Sequence, residues 1–160
     1  MYTQTEENVL GEEIVLTEAS TGKRFANFLI DLAVFYATIF LIALVATVIF
    51  GPELFDYEET SANSLLDRVI TLILYGIFLG LVEGLCKGKT LGKLITKTRA
   101  VNADGSPVDF AHGFKRGLVR MVPFNGLSAF GSPCYPWHDK WTNTLVIDEK
   151  QSTVPNESGN

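Results

Sequence analysis

Three polar residues occupy one helical stripe near the start of an otherwise apolar segment. Arg24, Asn27 and Asp31 are spaced at i, i+3 and i+7, so a helix would present them on one face. Asp31 would lie about 10 Å along the helix axis from Arg24, at a rise of about 1.5 Å per residue. An aspartate inside a membrane helix costs about 2.5 to 3.5 kcal/mol, so it requires a partner or a hydrated cavity and is a functional candidate by default.

Glu83 is a second carboxylate in apolar surroundings, one helical turn before Lys87. In an antiparallel pair of membrane helices it would lie at a depth similar to that of Asp31. Two carboxylates that share a site can hold one proton between them and exchange it for a cation. The alternative is neutralisation by an arginine, for which the candidates are Arg24, Arg116 and Arg120. The residue pattern leaves both interpretations open.

Two apolar runs are candidates for the helices that position these side chains. The first extends from Phe25 to Phe50 and the second from Val69 to Leu85, and each contains a single charged residue. The first exceeds the ~20 residues that cross a bilayer as a helix, and apolar neighbours extend the second to that length. We therefore predict spanning helices at about residues 25–50 and 66–86.

The distribution of basic residues predicts the orientation of these helices. The segment GPELFDYEETSANSLLD between the two runs contains no Lys or Arg, whereas Lys23 and Arg24 precede the first run. Further basic residues follow the second run: Lys87, Lys89, Lys93, Lys97 and Arg99. Because Lys and Arg near span ends stay in the cytoplasm, both termini are predicted to be cytoplasmic. The net charge of -5 does not alter this prediction, since Asp and Glu contribute little to orientation.

Glycines recur at every fourth position of the second predicted helix, at Gly76, Gly80 and Gly84. This spacing puts them on nearly one face, where another helix backbone can approach closely. We interpret the pattern as helix packing and expect it to support a homo-oligomer.

The segment from about residue 110 to 136 has apolar residues interrupted by basic residues and prolines. It is expected to form an amphipathic helix at the membrane surface, or a shallow re-entrant turn, with a third spanning helix as the alternative. The Asp104-Gly105 pair predicts a hairpin, and TNTLVID predicts another strand, so a small cytoplasmic sheet is expected, with EIVL as a further candidate strand. Residues 1–20 are expected to be flexible, and 149–160 to be a disordered tail.

Taken in order, these segments resemble the RDD family of membrane proteins, named for an arginine and two aspartates. Arg24 and Asp31 match the arginine and the first aspartate, and Asp139 in WHDKWTNTLVI matches the second. GKTLGKLITKTRAVNADGSPV and KRGLVRMVPFNGLSAF are similar to the segments that follow the family's helices, so the resemblance covers roughly Thr21 to Ile147. It implies transport of unidentified ligands, with cation/proton antiport for some members. The Asp139 carboxylate could also accept hydrogen bonds from Arg24 or Arg120, and such a bond to Arg24 would hold the C-terminal segment against the first helix.

Other kinds of chemistry lack a pattern in the sequence. Four potential metal ligands are irregularly spaced, so neither a metal nor a cofactor is predicted: Cys86, His112, Cys134 and His138. The two cysteines are expected to be free thiols. EGLCKGKT lacks the first glycine of a phosphate-binding loop, and no nucleophile and base are spaced as in an enzyme. Topology and anionic lipid explain the basic residues without nucleic acid.

The sequence thus predicts a mainly α membrane protein with a membrane domain at residues 21–148, placed by the resemblance in a bacterial inner membrane. In the leading interpretation, it is a homo-oligomer that moves a cation or small solute in exchange for protons, with Asp31 and Glu83 as the binding or proton-exchange residues. The alternative is a non-transporting adaptor whose cytoplasmic part binds a partner. Its fold would then be held by a charge network of Arg24, Asn27, Arg116, Arg120 and Asp139.

Overall fold

The computed structural model describes residues 3–7, 13–55, 61–122 and 136–152. In chain order the elements are β1 (Thr3–Glu7), β2 (Glu13–Thr17), α1 (Thr21–Phe50), a 3-10 turn (Pro52–Phe55), α2 (Ser61–Leu85), α3 (Leu91–Thr96), β3 (Thr98–Asn102), α4 (Phe110–Arg120), α5 (Trp137–Lys140) and β4 (Thr144–Asp148). The predicted combination of a mainly α fold, two spanning helices and a small antiparallel sheet is confirmed.

Two helices are long and apolar enough to cross a bilayer, Thr21–Phe50 and Ser64–Leu85. The first begins at Ser20, whose hydroxyl accepts the Lys23 N–H, and ends at Gly51, where φ is +89°. Most apolar side chains of both helices point outward, as lipid-facing residues do. The helices share a buried apolar cluster of Phe35, Tyr75 and Leu79.

The glycine face of α2 packs against α4 of the same chain. A Cβ atom on Gly80 would lie 3.1 Å from the Phe114 carbonyl oxygen, and one on Gly76 would lie 2.7 Å from the Gly117 carbonyl oxygen. Gly84 likewise meets Phe110. The expectation that this face joins separate copies is therefore corrected, because α4 already occupies it. Of the predicted interfacial segment, residues 123–135 lie outside the described part of the chain.

The strands form two antiparallel pairs, β1 with β2 and β3 with β4. The end of β2 continues onto β4, where the Ala19 N–H donates to the Val146 carbonyl at 2.8 Å. One apolar cluster consists of Leu16, Val101, Leu145 and Ile147, and a second of Ala19, Ala100, Val108 and Val146. These clusters pack β2 and β3 against the last strand, β4.

Three predictions for this region differ from the structure. The turn at Asp104-Gly105 forms, but the chain after it pairs with β3 only through one isolated bridge, between Val101 and Pro107. The strand that pairs with β3 along its whole length is β4. Proline has no N–H to continue a ladder, and Asp109 caps α4 two residues later. The predicted flexible N-terminal segment contains β1 and β2. The start of the predicted disordered tail is hydrogen-bonded to β2, because the Thr17 N–H donates to Ser152 Oγ at 2.9 Å.

Candidate functional site

Glu83, in the last turn of α2, is completely buried and surrounded by cations. Its Oε1 lies 2.7 Å from Lys93 Nζ and 2.6 Å from Arg116 Nε. Its Oε2 lies 2.7 Å from Arg120 Nη1. Lys93 comes from α3 and the two arginines from successive turns of α4. This single carboxylate therefore fastens three helices together.

Asp139, on α5, is the second completely buried carboxylate of the network. Its Oδ2 accepts from Arg24 Nη1 at 2.5 Å, and its Oδ1 lies 2.6 Å from Arg116 Nη1. Arg24 also donates through Nε to the Ala19 carbonyl at 3.2 Å. Arg116 thus bridges Glu83 and Asp139, and the first turn of α1 is joined to α5.

Asp31 has a different set of partners, all from the start of α3. Its Oδ2 accepts from Thr90 Oγ1 and its Oδ1 accepts from the Gly92 N–H, each at 2.8 Å. Thr90 is the N-cap of α3, and its Oγ1 also accepts the Lys93 N–H at 3.3 Å. One turn before Asp31, the amide group of Asn27 lies 2.9 Å from Thr98 Oγ1.

The expectation that Asp31 and Glu83 share one site is therefore corrected. Successive residues of α3 contact the two acids separately: Gly92 bonds to Asp31, and Lys93 pairs with Glu83. The hydrogen-bond donors and cations of α3 and α4 occupy the positions at which a shared proton or ion would have to bind. The alternative weighed from sequence, neutralisation of Glu83 by arginine, is the arrangement seen here.

A family model described as RDD family matches residues 18–143. The chain belongs to the RDD family. No match was found among curated proteins or solved structures. The matched region of this RDD protein contains both candidate spanning helices as well as Arg24, Asp31 and Asp139. Together with the two apolar helices, the family identifies a membrane protein.

The network of the RDD protein perturbs the ionisation of its members beyond the two spans. Burial lowers the pKa of Lys93 to about 8, against the opposing attraction of Glu83. Burial alone would raise the pKa of Asp139, but the guanidinium groups of Arg116 and Arg24 outweigh it and hold that pKa below its usual value. Burial lowers the pKa of His138 well below its ordinary value, so this imidazole is neutral at pH 7.

Several members of the site are not recognisable as such in the sequence. Lys93 resembles the other basic residues that follow the second span, and no local pattern distinguishes Thr90. Gly113 and Gly117 have the same four-residue spacing as the α2 glycines, and this spacing is the sequence signal that α4 packs there. In the described ranges, no group of three His, Cys, Asp or Glu side chains could hold a metal ion. Cys86 is an exposed free thiol, and Cys134 lies outside those ranges.

Proposed function

We propose that this RDD protein is a non-transporting membrane adaptor in which buried charges fasten the segments that follow the spans to the spanning helices. One observation carries the proposal: both oxygens of Glu83, Asp139 and Asp31 lie within 2.8 Å of donors or cations from other elements. A permeation pathway requires polar groups that face water, whereas a structural fastener does not.

The packing between the two spans supports the same proposal. Phe35 lies one turn beyond Asp31 on α1 and meets the Tyr75 ring of α2 edge to face, with ring centroids 5.1 Å apart. Leu79 completes this buried cluster. At this depth, the two helices of one chain are in apolar contact and enclose no charged group.

We further propose that both termini are cytoplasmic and that the membrane is a bacterial inner membrane. The location of Lys and Arg around the spans supports the orientation, and the family resemblance supports the source. In this orientation, β2, β3 and β4 form a small folded unit on the cytoplasmic side of α1. That unit is the surface that would receive a protein partner, and no catalysed reaction is assigned to it.

A second candidate function is transport of a cation or small solute in exchange for protons. Lys93 is the observation in its favour, because a buried lysine with a pKa of about 8 can release its proton close to physiological pH. Its deprotonation would leave Glu83 with one fewer cation. Transport would also require self-association, because two helices alone cannot shield a pathway from lipid.

Flux measurements in proteoliposomes distinguish the two candidates. Purified wild type, Asp31→Asn, Lys93→Met and the matched surface variant Lys150→Met are reconstituted, and sodium and proton fluxes are compared with those of empty liposomes. The adaptor proposal predicts no flux above empty liposomes for any of them, together with lower resistance to unfolding for Asp31→Asn. Wild-type flux that is lost in Asp31→Asn or Lys93→Met, but retained in Lys150→Met, would overturn it in favour of transport.

A further inference from the structure

We propose that α3 is a membrane-inserted element whose residues Leu91, Leu94 and Ile95 contact phospholipid acyl chains in the leaflet that contains the start of α1. This interaction surface was not apparent from the sequence, where α3 fell within a basic segment outside the spans. The proposal does not depend on whether the protein transports a solute.

The two faces of α3 differ sharply in character. Gly92 and Lys93 are buried against the rest of the protein, whereas Leu91, Leu94 and Ile95 are exposed, Ile95 to 67%. The exposed residues are spaced at i, i+3 and i+4, so they form one continuous apolar face. An exposed apolar face on an element that packs against a spanning helix is expected to be covered by lipid.

The position of α3 along α1 gives its depth. Gly92 packs on α1 so closely that a Cβ atom there would lie 2.6 Å from the Asn27 carbonyl oxygen and 3.0 Å from Asp31 Oδ1. The 30 residues of α1 span about 45 Å, whereas a hydrocarbon core is about 30 Å thick. With equal overhang of about 7 Å at each end, Asp31 at about 15 Å from the helix start lies within that core, and Asn27 at about 9 Å lies at its edge.

Three N–H groups at the start of α3 have acceptors within the protein, which lowers the cost of placing a helix end at this depth. The Gly92 N–H donates to Asp31, the Lys93 N–H donates to the Thr90 hydroxyl, and the Leu94 N–H donates to the Thr90 carbonyl at 2.9 Å. Asp31 therefore acts as a positioning residue: its carboxylate lets a helix begin inside the membrane.

The other end of α3 has a residue suited to the headgroup layer. Lys97 is exposed and adopts φ +57°, a left-handed conformation that L side chains rarely adopt. A lysine beside an apolar face can extend its ammonium group to the phosphates of anionic phospholipids. The combination of an apolar face and a terminal lysine identifies phospholipid, rather than a soluble protein, as the occupant.

Spin-label accessibility tests the insertion directly. In full-length protein with Cys86→Ser and Cys134→Ser, nitroxide labels are attached at Ile95→Cys, at Phe40→Cys on the lipid-facing side of α1, and at Lys150→Cys in an exposed turn. Each is reconstituted in nanodiscs of phosphatidylcholine and phosphatidylglycerol, and its accessibility to oxygen and to a water-soluble nickel chelate is measured. All three positions are exposed, so the labels do not disturb the packing.

We expect the oxygen-to-nickel ratio at position 95 to exceed that at position 150 several-fold and to lie below that at position 40, which is nearer the bilayer centre. A ratio equal to that at position 150 would place α3 in water and overturn the proposal. Protection of position 95 from both reagents would also overturn it, by showing that protein covers the face. Adding Asp31→Ala should raise nickel access at position 95 and leave positions 40 and 150 unchanged, a readout that a general loss of fold would not give.

Discussion

Asp139 joins Arg24 near the start of the fold to Arg116 near its end, although all three residues are at least nine-tenths buried. Removing one partner from such a group leaves the remaining charges buried without compensation, which is far more costly than losing an exposed ion pair. At the scale of single residues, stability therefore depends more on Asp139 than on the charged residues of the surface.

Replacing Asp139 with Asn should lower the free energy of unfolding by about 3 to 5 kcal/mol, because Arg24 loses its counter-charge and Arg116 keeps only Glu83. The matched control is Glu149→Gln, which weakens a pair in which both Lys89 and Glu149 are partly exposed and should cost about 1 kcal/mol or less. Denaturation by sodium dodecyl sulfate in mixed micelles measures both values. Equal losses of unfolding free energy in the two variants would show that Asp139 contributes no more to stability than the control residue does.

The lowered pKa of Lys93 predicts a pH dependence with a definite sign. Between pH 8 and the ordinary lysine value of 10.5, the unfolded chain keeps a proton that the folded chain has lost. The contribution of Lys93 to stability therefore rises with pH in this window. Relative to Lys93→Met, wild type should gain about 2 kcal/mol in unfolding free energy between pH 7 and 9.5. A constant difference would mean that Lys93 keeps its proton.

At the scale of elements, the packing of α2 on α4 relies on glycines from both helices. A Cβ atom on Gly117 would lie 2.4 Å from the Gly80 Cα, whereas one on Gly22 would meet nothing within 4 Å. The two helices can therefore stay this close only while those positions lack side chains.

Substituting Gly117 with Ala should force α4 away from α2 and reduce the unfolding free energy by about 1 to 3 kcal/mol. Gly22→Ala, also in a helix, should be neutral or slightly stabilising because alanine is the better helix former. The same detergent titration compares the two variants. If Gly117→Ala were as stable as Gly22→Ala, close contact between the two helices would not be needed.

Element types were easier to predict from the sequence than element partners. Hydropathy was sufficient for α1 and α2, because a lipid-facing helix must be apolar along its length. The partner of β3 was not predictable from local pattern, since the Asp104-Gly105 turn favours a hairpin while the actual strand β4 lies about forty residues away. The α2 glycines indicated close packing but could not indicate whether the second helix belonged to the same chain.

At the scale of the whole molecule, β2 and β4 meet beside α1, so the two ends of the described fold lie at the same end of the first span. Which side of the membrane this is remains a prediction from the Lys and Arg distribution. In cells producing the protein without its native cysteines, a membrane-impermeant thiol reagent should label Ser61→Cys but not Lys150→Cys. The reverse pattern would invert the proposed topology.

The candidate site was only partly predictable at this scale. The arginines Arg24, Arg116 and Arg120 could be proposed as partners for buried acids because charges in a membrane need compensation. Their division between Glu83 and Asp139, and the separate role of Asp31 at α3, depend on how distant segments fold over one another. Spacing within a single helix contains no information about that arrangement.

The contact between Arg24 and Asp139 joins residues separated by 115 positions along the chain. A ribosome therefore delivers Arg24, Asp31 and Glu83 to the membrane well before it makes the residue that completes the network. Asp31 and Glu83 have partners in and beside α3 and α4 that are made before Asp139, whereas Arg24 receives its counter-charge only from the last segment. A chain that ended before Asp139 would keep Arg24 without its counter-charge, so the stability of the first span depends on a residue made near the end of synthesis.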